Sequence, residues 1–283
     1  MAPHATRRQW LTSAFAAALF PAGSHSAPRL AFAEDAPHAS AAEAAGFETV
    51  AARFEDALAD RSIHAVCIAA PVFERAHMAA EACRAGKDVW VEAPVCASLE
   101  EGRRMVRAAR RYGRVVQAGT VWRSSRAVQA ARRAIHAGEL GDIVYCRAFE
   151  GTASANRAHL VDLLQFVFDE AAPLSVAAQG SGGNLLATYR YPRFVASYES
   201  RGTGPAGIAF HGVTATRIVD LREDGARVAH WRNFLECTGS RRRPVADIET
   251  GVRSTMTQSL EDLALRRGTS IASIPFEMET NLA

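Results

Sequence analysis

The stretch from Ile63 to Pro94 reads IHAVCIAAPVFERAHMAAEACRAGKDVWVEAP and decides the fold. It opens with a continuous apolar run that Pro71 ends, which is typical of a strand buried on both faces. A segment of helical periodicity follows and stops near Gly86, a residue suited to a left-handed helix cap. DVWVEAP is then a second buried strand. Strand, helix and strand at this spacing predict parallel strands joined by a right-handed crossover.

The same alternation continues toward Thr120. SLEEGRRMVRAARRYG begins with a capping-box pair, Ser98 and Glu101, and ends at Gly113. RVVQAG then forms a third strand, so the first half of the chain is predicted to be a parallel α/β sheet.

After Thr120 the pattern changes, because short candidate strands now follow one another across turn residues and favour an antiparallel sheet. The predicted helices are SSRAVQAARRAIHAGELG and RAHLVDLLQFVFD, and two more close the chain around a proline-containing loop with the run Arg241–Arg243, expected to be solvated. The predicted strands are DIVYCRAFEG, LSVAAQG, NLLATYRY, FVASYESRG, GIAFHGVTATRIVDL and ARVAHW.

The fold class is therefore α/β plus α+β: an incomplete Rossmann-like parallel sheet followed by a mostly antiparallel sheet domain with flanking helices. Residues 34–120 form the truncated dinucleotide-binding domain and residues 121–283 the substrate and oligomerisation domain. Residues 1–33 are predicted to be a signal.

That signal interpretation depends on the order of features at the N-terminus. Arg7 and Arg8 precede a short alanine-rich apolar run that Pro21 closes, and Ala31-Phe32-Ala33 offers a small-x-small cleavage site. This order resembles a twin-arginine export signal and predicts a periplasmic or otherwise exported protein. The alternative is an ordinary amphipathic helix with a chance arginine pair in a cytoplasmic protein. No segment is long and apolar enough to span a membrane.

Composition excludes several classes of protein. The formal net charge is +3, from 33 basic and 30 acidic residues, and no basic stretch interleaved with aromatics indicates a nucleic-acid partner. The five cysteines show no metal-ligand spacing, although one disulfide stays open, and Cys67 fits a core position. Lys87 is the single lysine of the sequence.

Taken in order, the segments resemble the Gfo/Idh/MocA family, typified by glucose–fructose oxidoreductase and inositol dehydrogenase. The resemblance runs from about Phe47 to the C-terminus and is carried by ADRSIHAVCIAAP, HMAAEACRAGKDVWVEAPV, LEEGRRMVRAARRYGRVVQAGT, GELGDIVYCRAFEG, HLVDLLQFVFD and RNFLECTGSRRRPVADIETGVRS. It implies NAD or NADP on a Rossmann domain and a sugar or polyol held against the second sheet. It also implies a homo-oligomer that pairs through the open face of that sheet.

The first departure from the family concerns the dinucleotide fingerprint. A strand followed by G-x-G-x-x-G lets the pyrophosphate approach the backbone at a helix N-terminus, yet the only glycine before Gly46 is Gly23. RLAFAED is either a remnant of the second family strand, with Asp35 in the ribose position, or the cleavage site. The first βαβ unit is therefore expected to be missing.

The other departures concern proton transfer. The family turn Glu-Lys-Pro, whose lysine approaches the reacting hydroxyl, is Glu92-Ala93-Pro94 here, and alanine neither donates a proton nor stabilises an alkoxide. By resemblance His159 is the general base. The family aspartate four residues before that histidine is replaced by Ala155, so the base loses a partner that would support its charged form.

The candidate site follows from the strand ends and the resemblance. His159 is assigned as the catalytic residue, against the alternative of an ordinary hydrogen-bonded histidine. The cofactor-binding candidates follow the three parallel strands, where open α/β sheets place ligands, and they are Ala70, Pro71, Glu92, Pro94, Trp122 and Arg123. Arg123 is open to either an anion or a salt bridge, and Asp162 is expected to contact the backbone or an arginine. No metal is predicted.

Two functional hypotheses follow from these residues. The first is an NAD(P)-dependent oxidoreductase with activity lost or reduced. The second is a non-catalytic ligand-binding or assembly protein on the same scaffold, which the three coincident losses favour. A reading frame that starts late or is damaged is a third possibility.

Overall fold

The structure is a computed structural model of the chain. It describes residues 29–32, 39–51, 53–150, 157–169, 172–182, 184–200, 206–221 and 225–273. The arginine pair and apolar run of the N-terminus, Gly23, Ala33, Asp35 and Ala155 lie outside these ranges, so the predictions made on them stay predictions.

The chain divides into two compact units. The first comprises the residues up to Gly119 together with Arg227–Ile248, and the second comprises Thr120–Ala226 and the residues from Glu249 onward. The sequence predicts one boundary near residue 120, with all later residues in the second domain. The structure also divides the chain near 120, but it returns a later helical segment to the first unit.

The first unit contains a five-stranded parallel sheet with the order β2-β1-β3-β4-β5. Its strands are β1 (Arg29–Phe32), β2 (Glu48–Ala51), β3 (Ile63–Ile68), β4 (Asp88–Val91) and β5 (Val116–Ala118). The three strands predicted from apolar runs are present, and β3 to β5 are buried almost throughout. The order reverses between β1 and β3, which makes this the switch point of a doubly wound sheet.

The expectation that the first βαβ unit is missing is wrong, because RLAF forms strand β1, which is followed along the chain by a helix and by the parallel strand β2. Strand β1 lies between β2 and β3 and pairs with both, with Leu30 opposite Thr49 on one side and Ala65 on the other. Leu30 is fully buried and Ala31 nearly so. The space beside β3 is therefore filled, and β2 is a further strand that the sequence analysis had not assigned.

In the part of the chain that the structure describes, the first unit has five helices, and local sequence predicted the start of one of them and the end of another. They are α1 (Ala39–Ala45), α2 (Phe54–Ala59), α3 (Val72–Arg84), α4 (Leu99–Arg111) and α7 (Ala226–Ser240), which belongs to this unit from Arg227 onward. The hydroxyl of Ser98 accepts from the backbone N–H of Glu101 at 3.2 Å, so the predicted cap of α4 forms. Gly86 adopts φ 81° just after α3, as its left-handed cap role requires.

The prediction of a strand at ARVAHW is wrong, because these residues are the first turns of α7. Six residues show too little of the period to separate helix from strand. The buried positions continue as His230, Trp231, Phe234 and Leu235, which is the spacing of one helix face. Trp231 stacks on Trp90 of β4 with ring centroids 3.6 Å apart, so α7 helps to close the core of the first unit.

The second unit contains a seven-stranded sheet with the order β11-β10-β6-β9-β8-β7-β12. Its strands are β6 (Ile143–Glu150), β7 (Ser175–Ser181), β8 (Asn184–Arg190), β9 (Val195–Ser200), β10 (Gly207–Gly212), β11 (Thr216–Asp220) and β12 (Ile271–Ala272). Only the β6–β9 pair among these is parallel, which confirms a mostly antiparallel sheet.

Helices cover one face of this second sheet. They are α5 (Arg126–His136), α6 (Arg157–Phe168) and α8 (Ile248–Arg267), and a 3₁₀ turn at Val121–Ser124 precedes α5. Leu160, Leu163 and Leu164 of α6 belong to the same buried cluster as Tyr198 and Phe210 of the sheet. The face of α6 that carries these leucines is thereby fixed, and with it the place of His159 on the same helix.

Cysteine and arginine predictions are also resolved. All five cysteines are free and buried, so the disulfide left open by the sequence does not form. Cys67 is a core residue as expected, and burial raises the pKa of its thiol well above the usual value. Arg241 departs from expectation, because it leaves the solvated loop to bind the buried Asp88 through two 2.8 Å contacts.

None of the helices in the described ranges combines the length and apolar character needed to cross a bilayer. Across the same residues, no group of three or more His, Cys, Asp or Glu side chains is arranged to hold a metal ion.

Candidate functional site

The carboxyl edge of the first sheet is where a doubly wound fold places a ligand. Ala70 and Pro71 follow β3 at this edge, the turn Glu92-Ala93-Pro94 follows β4, and Gly119 follows β5. The Ala93–Pro94 peptide bond is cis. Four of the six predicted cofactor residues thus lie on two neighbouring turns of one edge.

Arg75 joins these two turns, and the sequence analysis missed it. Its Nε donates to the carbonyl oxygen of Ala70 at 2.7 Å, and its Nη1 donates to the carbonyls of Glu92 at 3.0 Å and Pro94 at 2.6 Å. Burial lowers the pKa of this arginine, while the charge of Glu92 acts in the opposite direction. A single arginine on a helix gives no sequence signal for such a role, because its partners are backbone atoms of distant turns.

Glu92 turns toward the core side of the same edge. The indole Nε1 of Trp90 donates to its Oε1 at 3.2 Å. A Cβ atom on Gly119 would come within 2.8 Å of that same oxygen, so the end of β5 accommodates the carboxylate because residue 119 is glycine. Glu92, which occupies the family glutamate position, therefore packs against the ends of β4 and β5.

Lys87 lies at the opposite end of β4 from this turn. Its Nζ donates to the carbonyl oxygens of Asp60 at 2.6 Å and Ile63 at 2.9 Å, and the residue is 4% exposed. Burial lowers its pKa. The single lysine is thus a structural residue of the amino edge, and the chain has no second lysine to place at the turn.

The second unit contains the remaining predicted residues. Arg123 follows β5 in the 3₁₀ turn, and its Nε and Nη2 bind the two carboxylate oxygens of Asp162 at 2.6 and 2.8 Å. Both residues are at least 95% buried, and Ser254 donates to the same carboxylate at 3.1 Å. The expectation that Asp162 contacts an arginine is confirmed, and the Arg123 charge is neutralised inside its own unit.

His159 and Trp122 are the last two candidates. His159 lies on α6 and is partly buried, three residues before Asp162 on the same helix. Trp122 is partly buried and packs against the core of the second unit. The structure therefore groups Ala70, Pro71, Glu92 and Pro94 in the first unit, and His159, Trp122 and Arg123 in the second.

Two features bear on whether a nicotinamide dinucleotide fits the edge of the first sheet. Helix α3 begins right after Pro71 without a side-chain cap, so N–H groups of its first turn are available to an anion. In contrast, Glu92 repels phosphate, and Arg75 is already engaged by three carbonyls. This edge of the sheet therefore keeps one element of a phosphate site, the start of α3, while its arginine is occupied by contacts within the protein.

A doubly wound parallel unit followed by a mostly antiparallel sheet unit is the fold of the solved inositol dehydrogenases described below. Residues 11–120 match the model of a family described as an oxidoreductase family with an NAD-binding Rossmann fold, GFO_IDH_MocA. The match begins before Phe47, where the resemblance was expected to start, and takes in the apolar run assigned to the leader.

Individual known proteins are also similar to the chain. Over 106 residues the chain is 32% identical to scyllo-inositol 2-dehydrogenase (NAD(+)) of Bacillus subtilis, an alignment that spans 38% of this chain and 31% of that relative. The myo-inositol 2-dehydrogenase of Lactobacillus plantarum superposes with a TM-score of 0.77 at 13% identity, over 88% of this chain and 100% of that one.

Two further solved structures share the fold. An inositol dehydrogenase homolog of Azotobacter vinelandii, complexed with NADH and myo-inositol, has a TM-score of 0.75 at 15% identity over 88% of this chain and 98% of its own. The WlbA dehydrogenase of Bordetella pertussis, in complex with NADH and UDP-GlcNAcA, has a TM-score of 0.74 at 18% identity over 89% and 99%. Residues 11–120 therefore resemble an NAD-binding oxidoreductase family, and most of the chain shares its fold with solved inositol dehydrogenases.

Proposed function

We propose that this chain keeps the scaffold of an NAD(P)-dependent oxidoreductase for a sugar or polyol but transfers hydride poorly or not at all. The observation that carries the proposal is the cation at the Glu92-Ala93-Pro94 turn. Position 93 of this turn is alanine, and the cation that contacts the turn is Arg75, which donates to three backbone carbonyls.

The chemistry of arginine explains why this cation does not replace a lysine. A guanidinium does not release its proton near neutral pH, so it cannot act as the acid or base of an alcohol oxidation. Its hydrogen bonds to Ala70, Glu92 and Pro94 hold the two turns together. Arg75 is thus a structural cation on the edge where the reaction would occur.

Cofactor binding is proposed to be weak for a separate reason. Strand β1 enters the sheet at the switch point, yet no G-x-G-x-x-G sequence accompanies it, since Gly23 and Gly46 are the first two glycines of the chain. Without those glycines a backbone cannot come close to the pyrophosphate. Cofactor binding and proton transfer are therefore impaired by two independent changes in the sequence.

Titration tests this proposal. NADH and NADPH are expected to show no saturable binding tighter than about 100 µM, roughly the level of a working cofactor site. With NAD and myo-inositol no NADH formation above background is expected. The Ala93→Lys variant is not expected to restore it, because the cofactor is not held. Ala97→Lys, an exposed position three residues past the turn, is the matched control.

Fluorescence and calorimetry measure the binding, and absorbance of NADH measures turnover. Saturable binding below that level, or turnover by the unmodified chain, contradicts the proposal. Turnover that appears in Ala93→Lys and is absent from Ala97→Lys would show that only proton transfer had been lost.

A second function, ligand binding or assembly without catalysis, is favoured by the open face of the second sheet. Large apolar side chains are exposed there at Leu186 (47%), Val195 (40%) and Ile218 (69%). Arg147 and Glu199 form a cross-strand ion pair of 2.9 Å on the same face.

We propose that two copies pair through this face of the second sheet. Sedimentation should then give a homo-oligomer that the Ile218→Lys substitution dissociates. A monomer at micromolar concentration would contradict the proposal.

Localisation is a proposal as well. The paired arginines favour export by the twin-arginine route, but cleavage after Ala33 would remove β1, which pairs on both sides and buries Leu30. We therefore propose export with β1 retained. Mass spectrometry of the periplasmic and cytoplasmic fractions is expected to find an exported chain that still contains Arg29–Phe32, and a mature chain beginning at Glu34 would overturn this.

A further inference from the structure

A cavity of about 260 Å³ opens at the amino edge of the first sheet, at the end opposite the turns that carry Glu92 and Ala70. The residues around it come from the starts of β3 and β4 and from the loops before them. They include Arg61, His64, Lys87, Asp88, Arg114 and Arg241. None of the candidate catalytic or cofactor-binding residues lines this cavity.

Charge is the first property of this cavity. Four basic residues and one acidic residue line it, and the acidic one is already neutralised. The carboxylate of Asp88 accepts hydrogen bonds from both terminal nitrogens of Arg241 at 2.8 Å. It also accepts one from the backbone N–H of Val115 at 2.9 Å. The neighbouring Asp60 lies 3.8 Å from Arg29, outside the wall. The remaining cations give the cavity a positive potential, which a concave low-dielectric surface concentrates.

Two guanidinium groups in the wall have donors left over. Arg61 is exposed and makes no hydrogen bond or ion pair with any residue in the described ranges. Arg114 donates through Nε to Tyr112 and through Nη1 to Gly86, both at 2.9 Å, which leaves its second terminal nitrogen without a bond to the described residues. Planar guanidinium groups bind the oxygens of phosphate with charge-assisted hydrogen bonds.

His64 reports the same positive environment. Its Nδ1 accepts the backbone N–H of Arg29 at 3.1 Å, which places the proton of the neutral ring on Nε2. Burial lowers the pKa of this histidine, and the charges of Lys87 and Arg29 lower it further, against the influence of Asp88. A bound anion would reverse part of that shift, so His64 is a built-in reporter of occupancy.

The other part of the wall is apolar. Phe47 and Ile63 are buried and line the same cavity. We propose that this cavity binds the phosphate group of a phosphorylated small molecule, with Arg61 and Arg114 holding the phosphate and Phe47 contacting the organic part. The inference is independent of the proposed function, because it uses the opposite edge of the sheet.

Binding of inorganic phosphate and of phenyl phosphate to the full chain tests this assignment. Both are expected to bind saturably at constant ionic strength, and phenyl phosphate more tightly because its ring packs against Phe47. Arg61→Gln and Arg114→Gln are each expected to weaken binding about tenfold, the effect of one charge-assisted hydrogen bond. Arg53→Gln, whose side chain is 82% exposed in the same unit, is the control and should not change the affinity.

Calorimetry gives the affinities, and NMR titration of the His64 ring gives a second readout in which its pKa rises when phosphate binds. Circular dichroism checks folding, and Arg61→Gln decides alone if Arg114→Gln does not fold. Equal affinity in the unmodified chain and Arg61→Gln overturns the site, as does the absence of saturation up to about 20 mM. Binding that leaves the His64 pKa unchanged places the anion elsewhere and overturns it too.

Discussion

Deletion of residues 1–33 is expected to abolish the cooperative folding of the first unit. The deletion removes β1, which separates β2 from β3 and pairs with both. Burial of Leu30 alone contributes about 2 kcal/mol, and two sets of backbone hydrogen bonds are lost with it. A net stability of about 5 to 15 kcal/mol does not survive the loss of a central strand.

Deletion of residues 1–28 is the matched control, since the two shortened chains differ by Arg29–Phe32 and Ala33. Circular dichroism and urea denaturation measure the outcome. The longer chain is expected to show a cooperative transition that the shorter one lacks. Equal unfolding curves would mean that β1 contributes nothing to the sheet, and the proposal that export retains β1 would then lose its basis.

The substitution Asp162→Asn is expected to lower the free energy of unfolding of the second unit by about 3 to 5 kcal/mol. Asp162 is fully buried and neutralises Arg123, whose guanidinium also lies 5.0 Å from the centre of the Phe166 ring. An amide of the same shape carries no charge, so the buried guanidinium loses the carboxylate that it pairs with. The cost arises from this lost charge pairing rather than from lost volume.

Asp169→Asn is the control for this prediction, because Asp169 pairs with Arg132 at 2.7 Å near the end of the same helix but is exposed. Its loss is expected to cost less than about 1 kcal/mol. Urea denaturation of both variants gives the comparison. Similar costs for the two substitutions would contradict the argument, whereas replacing both partners as Arg123→Met with Asp162→Leu is expected to recover much of the loss.

Much of the first unit could be predicted because its central strands are continuous apolar runs. Strands β3, β4 and β5 and the caps at Ser98 and Gly86 follow from local sequence. Strand β2 was missed because Glu48 and Thr49 interrupt any apolar pattern in four residues. The first turns of α7 were misassigned because the helical period appears only when the segment is followed to Leu235.

The sequence predicted where the candidate site lies, but it did not predict which atoms contact one another there. Strand ends located Ala70, Pro71 and the Glu92 turn on one edge. Sequence reasoning could not find Arg75, because its three acceptors are backbone carbonyls that carry no residue-type signal. The sequence did not decide whether Arg123 binds an anion or forms a salt bridge, because this depends on which helix face packs near the turn.

The path of the chain between the two units limits how the protein can be dissected. The backbone passes from one unit to the other at residues 119–120, 226–227 and 248–249. A fragment that stops at residue 120 would lack Trp231, and the indole of Trp90 would lose its stacking neighbour. Neither unit is therefore encoded by one uninterrupted segment, so any continuous fragment that contains the whole first unit also contains residues 120–226 of the second.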